Sequence, residues 1–116
     1  MENFDQIVME FNSLIKSYNF LEALHKFYHL DVISADNTNP SIVGLNNLVK
    51  ETEHFIEHAQ IEFIALRSIT VEKNLTVSNW HYKFTHKTFG LIDTNQISVQ
   101  RWRDGKIFQE HHFYIS

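Results

Sequence analysis

The chain has 116 residues, 43% of them hydrophobic and 21% charged, with ten Lys and Arg against fourteen Asp and Glu. That is the composition of one globular domain with one core, and its net charge of -4, with scattered basic residues, lacks the footprint of a nucleic-acid binder. The absence of Cys excludes disulfides, thiolate metal sites and cysteine nucleophiles, while an acidic N-terminus and the lack of long apolar runs suggest a soluble cytoplasmic protein with no membrane contact.

Phe4, Ile7, Val8, Phe11, Leu14, Ile15 and Tyr18 fall at helical spacing, with Asn19 as the stop. Phe20, Leu21, Leu24, Phe27 and Tyr28 restart the period and predict a second helix over 20–30. Residues 31–36 turn β-like and run into the polar loop Asn37-Thr38-Asn39-Pro40. A third helix is predicted from Gly44, with Leu45, Leu48, Val49, Thr52, Phe55 and Ile56 on one face. Past His58, β-branched and aromatic residues predict a strand over 60–71, a turn at Glu72-Lys73-Asn74 and a long alternating strand over 75–87. Residues 88–95 read as an exposed loop. The chain ends in two alternating runs flanking Asp104-Gly105, a strong hairpin signal.

Helices grouped ahead of strands predict an α+β domain spanning 1–116, with three helices packed on one face of a curved antiparallel sheet. Such a sheet curls into a cone, and the mouth of a cone is a natural ligand pocket.

Three local signatures join this element order. They are Leu24-His25-Lys26-Phe27-Tyr28-His29-Leu30-Asp31-Val32, then Trp80 within Thr76-Val77-Ser78-Asn79-Trp80-His81-Tyr82, and Val99-Gln100-Arg101-Trp102-Arg103-Asp104-Gly105-Lys106-Ile107 leading into His112-Phe113-Tyr114. Together they resemble the nuclear-transport-factor-2-like (NTF2-like) superfamily, and within it the SnoaL-like, polyketide-cyclase-like branch. The resemblance spans nearly the whole chain and implies a cone-shaped roll. It implies no single activity, because this fold hosts isomerases, cyclases, dehydratases, hydrolases and non-catalytic binders.

Alternation along the long strand places Ser78, Trp80, Tyr82, Phe84 and His86 on the face toward the helices. The terminal hairpin admits two registers. A three-residue loop at Arg103-Asp104-Gly105 sets Trp102 opposite Lys106 and groups Ser98, Gln100, Trp102, Phe108, Glu110, His112 and Tyr114 on one face. A two-residue turn at Asp104-Gly105 sets Trp102 opposite Ile107 and brings His111 in place of His112. The family pattern resembles the three-residue version, which turns His112 inward.

Asp36 ends the short strand, where ketosteroid isomerases of the resembling fold keep a proton-abstracting Asp. An apolar pocket would raise its pKa, although an Asx-type loop start explains the residue equally well. The isomerase resemblance stops there. Ser98 falls where those enzymes carry an oxyanion-stabilising acid, and the first helix has no Tyr before Tyr18. Glu110 and His112 lie two apart on a strand and point the same way, as an acid/base pair or as a satisfied polar cluster. In SnoaL-like cyclases an Asp and a His move protons, which implies Asp36 with His112, and Glu110 orienting the imidazole. Trp80, Tyr82, Phe84, Ser98, Gln100, Trp102, Phe108 and Tyr114 are the candidate pocket lining; the same rings also read as core, leaving a small residual cavity.

The pairs His25/His29 and His54/His58 have chelating helical spacing but no third ligand, so neither a metal nor another cofactor is expected. Limonene-epoxide-hydrolase chemistry on this fold needs an Asp-Arg-Asp set, and Arg67, Arg101 and Arg103 all fall off the inward face. The opposite sheet face, with Asn79, His81, Lys83, Ile97, Val99, Arg101, Ile107, Gln109, His111 and Phe113, is half apolar and suggests a homodimer. Two functions follow: a small-molecule acid/base enzyme of cyclase, isomerase or dehydratase type acting on an apolar substrate, or a non-catalytic ligand-binding or dimeric interaction module.

Overall fold

A computed structural model describes residues 3–115; Met1 and Glu2 of the acidic N-terminus, and Ser116, lie outside the described residues. Helix α1 (Phe4–Lys16) starts at Asn3, whose side chain accepts from the Gln6 N–H while Gln6 answers to the Asn3 N–H, a reciprocal capping box. Helix α2 (Phe20–Phe27) is shorter than its periodicity suggests, because strand β1 (Tyr28–Asp36) begins where the second helix was expected to continue. Two-residue β2 (Ile42–Val43), hidden in the sequence as part of a loop, precedes α3 (Leu45–His58). Four long strands follow: β3 (Ala59–Glu72), β4 (Leu75–His86), β5 (Gly90–Arg103) and β6 (Lys106–Ile115). The loop expected over 88–95 shrinks to a tight turn, since from Gly90 onward those residues pair with β4.

The six strands form one sheet in the order β2-β1-β6-β5-β4-β3. It is mixed rather than purely antiparallel. Strand β1 lies parallel to β6, setting Ser34 beside Glu110 and Asp36 beside His112. A parallel neighbour needs a long crossover, and the chain from β2 through β5 supplies it.

Bulges bend this sheet. Two in β3, after Ile61 and Leu66, leave Ile61, Ile64, Leu66 and Ile69 at a 3-2-3 spacing while keeping them opposite the inward face of β4. The terminal hairpin starts in the two-residue register. Asp104 and Gly105 both have positive φ, as a two-residue hairpin turn requires, and Trp102 pairs with Ile107. A bulge at Phe108 then shifts the pairing by one residue, so that Gln100 faces Glu110 and Ser98 faces His112, a register that neither expected turn gives, although His112 still turns inward.

The packed core sits at the hairpin-tip end. Trp102 meets Phe4, Phe11 and Phe27 edge to face and donates its indole N–H to Thr76 Oγ1 at 3.0 Å. Ile107, Val32, Ala23 and Val8 complete this plug. Ile107 is fully buried, correcting its expected place on the outer face; the bulge one residue later is what turns it inward.

Candidate functional site

Away from the plug the helices and the sheet diverge around a half-open cavity of about 980 Å³. The aromatic residues therefore do not fill the cone, and the space is larger than the residual cavity expected. Trp80, Tyr82, Phe84, Ser98, Gln100 and Tyr114 line it, together with Asp36, Glu110 and His112. Trp102 and Phe108 do not. Trp102 is sealed in the plug, and the bulged Phe108 leaves the inward face to lie beneath the Arg103 guanidinium, 4.3 Å from its ring centre. The sequence-based reading missed Gln96, Tyr28 and Ser34. The first falls between the expected loop over 88–95 and the terminal hairpin, and the other two lie on a strand whose parallel partner no local pattern announces.

The floor is built by three neighbouring strands. Glu110 is 4% exposed, and its carboxylate accepts from Tyr28 Oη at 2.5 Å, Ser34 Oγ at 2.7 Å and Gln100 Nε2 at 3.0 Å. His112 Nε2 stands 3.1 Å from Glu110 Oε2. A buried carboxylate with this many donors is satisfied as an anion. Burial alone would raise its pKa, yet the His112 charge and these hydrogen bonds outweigh burial and lower it to about 2. For His112, burial pulls the other way, and the negative charges of Glu110 and Asp36 win, raising its pKa. Each partner thus favours the charged form of the other.

The second ring nitrogen of His112 looks toward Ser98 and Gln96. Nδ1 lies 2.8 Å from Ser98 Oγ and 3.2 Å from Gln96 Nε2, and Gln96 Nε2 reaches Ser98 Oγ at 2.9 Å. Tyr82 Oη donates to Gln96 Oε1 at 2.6 Å. Both phenols near the rim, Tyr82 and Tyr114, are held neutral by burial, with nearby Asp36 adding to the effect.

Asp36 occupies the rim. Tyr114 Oη lies 3.1 Å from each of its carboxylate oxygens, and the Asp36 carbonyl accepts from the Asn39 N–H at 2.9 Å. Asp36 is therefore both a turn residue and a wall of the cavity.

The His54 and His58 rings stack 4.1 Å apart, and His58 Nδ1 contacts the His54 carbonyl. Among the described residues no three His, Asp or Glu converge as a metal site. On the outer face, Arg67 lies 2.9 Å from His81 Nδ1 while Asp93 faces His81 Nε2 at 2.6 Å; Phe113 stacks on His111.

No protein-family model matches the sequence, and no curated protein matches it. Solved structures do. A protein assigned as a SnoaL-like polyketide cyclase from Mesorhizobium loti is similar over 97% of this chain and 100% of its own, with a TM-score of 0.89 and 17% identity. An NTF2-like protein of unknown function from Burkholderia pseudomallei covers 99% of this chain and 92% of its own, at a TM-score of 0.82 and 14% identity. An LEH-like epoxide hydrolase from M. tuberculosis covers 95% of this chain and 80% of its own, at a TM-score of 0.77 and 10% identity. At these identities the likeness is one of fold. None of Arg67, Arg101 and Arg103 lines the cavity.

Proposed function

From the NTF2-like, SnoaL-like fold of this chain, we propose a small-molecule enzyme that transfers protons on an apolar substrate, in the manner of a cyclase, isomerase or dehydratase. The observation that carries this reading is the placement of Asp36 and His112 on one cavity, in register across β1 and β6, with Glu110 behind the imidazole. Asp36 takes a proton from carbon, and imidazolium-backed Ser98 donates to the oxygen on which charge develops. Trp80, Tyr82 and Phe84 position the apolar part of the substrate.

Deuterium exchange beside the carbonyl of a panel of apolar ketones, followed by NMR, tests this. Exchange by the wild type that is lost in both Asp36→Asn and His112→Gln supports the reading. Ketones that bind without exchanging would overturn it.

One observation favours a non-catalytic binding module: both His112 nitrogens already have partners, on Glu110 and Ser98. In either case we propose a cytoplasmic homodimer through the outer sheet face. The exposed Phe113 supports the pairing, and the cytoplasmic setting rests on composition alone.

A further inference from the structure

The cavity is aromatic and, in its permanent charges, one-sided. Among the described residues, no Lys or Arg lines it; its basic side chains are histidines, His54 and His86 toward the rim and His112 on the floor. Its carboxylates are Glu110, Asp36 and Glu51. Glu110 is matched by His112 and three neutral donors. Asp36 has the single Tyr114 hydroxyl shared between its two oxygens, which leaves acceptor positions open, and Glu51 is exposed at the outer edge.

A neutral apolar molecule seated here would strip water from Asp36 and return nothing. A cation would compensate that charge. It would also meet ring faces, because Trp80, Tyr82, Phe84 and Tyr114 line the same space, with the Tyr82 and Tyr114 rings 6.4 Å apart at 86°. An anion would meet Asp36 and Glu51 with no Lys or Arg to offset them.

Building on the small-molecule pocket of the reading above, and not on its neutral substrate or its proton transfer by Asp36, we propose that the ligand is a lipophilic monocation, a tertiary or quaternary ammonium on an apolar frame. Its charged end lies beside Asp36 against the Tyr82 and Tyr114 rings, and its apolar end reaches inward past Trp80.

Three probes of similar size decide this by equilibrium titration, read as chemical-shift changes at the Trp80 indole. They are benzyltrimethylammonium, its uncharged carbon isostere neopentylbenzene, and phenylacetate. The expected result is the cation bound about tenfold tighter than the isostere, with phenylacetate weakest. In Asp36→Asn the preference for the cation should collapse while binding of the isostere persists, which also reports that the variant is folded. Equal or tighter binding of the isostere or of phenylacetate overturns the cation proposal and leaves the pocket reading standing. A preference unchanged in Asp36→Asn overturns it as well. If none of the three binds to the wild type, the small-molecule reading falls, and this inference with it.

Discussion

His112 Nε2 and Glu110 Oε2 meet at 3.1 Å on a floor where the imidazole is 19% exposed and the carboxylate side chain 3%. The imidazole is the more exposed partner, and against the pull of burial the Glu110 carboxylate raises its pKa. Stability and any chemistry at this floor therefore depend on the same pair.

Glu110→Gln should be among the most damaging single changes in the chain. It removes the anion facing His112 and puts an amide N–H₂ in place of one carboxylate oxygen, against either the Tyr28 and Gln100 donors or the Ser34 donor. Breaking a buried pair in this way costs on the order of 3 kcal/mol. Urea denaturation should show a lower midpoint with an unchanged slope; a midpoint like the wild type's would contradict the account.

The pair also fixes a pH optimum for stability. The Glu110 pKa is lowered from 4.5 to about 2, so its contribution is present above 4.5 and lost as pH falls toward 2. The His112 pKa is raised above 6.5, so its contribution is full below 6.5 and lost as pH climbs through the raised value. The two overlap between 4.5 and 6.5. Denaturation midpoints measured across pH should peak in that window, and His112→Gln should flatten the alkaline side.

Trp102 and Trp80 should separate core from cavity. Trp102→Ala removes the centre of the aromatic plug and should cost about 3–5 kcal/mol. Trp80→Ala, at the cavity wall, should cost less stability and weaken binding of an apolar probe. Thermal denaturation measures the stability of both variants, and equilibrium dialysis of a radiolabelled apolar probe measures the binding.

Deleting Phe108 should be tolerated. The bulge makes it an extra residue, so its loss joins Ile107 to Gln109 without moving Glu110 from Gln100 or His112 from Ser98. The deletion variant should keep a raised His112 pKa by NMR titration. A pKa typical of an exposed histidine would mean that the register had slipped.

The sequence alone determined the three helices, strands β3 and β4 and the inward face of β4, because each rests on local composition or period: 3.6 residues for Phe4 to Tyr18, and two for Trp80, Tyr82 and Phe84. It also marked Asp104-Gly105 as a turn, since positive φ favours those residue types. Periodicity fails wherever a bulge adds a residue, and so Ile107 and Phe108 were assigned to the wrong faces. Tertiary structure alone decided that β1 lies parallel to β6, bringing Tyr28, Ser34 and Asp36 to residues more than seventy positions away. No local preference encodes such a partner. It is chosen by burying the helices on a sheet whose bulges curve it around them, and that curvature leaves the cavity open at one end and packed solid at the other.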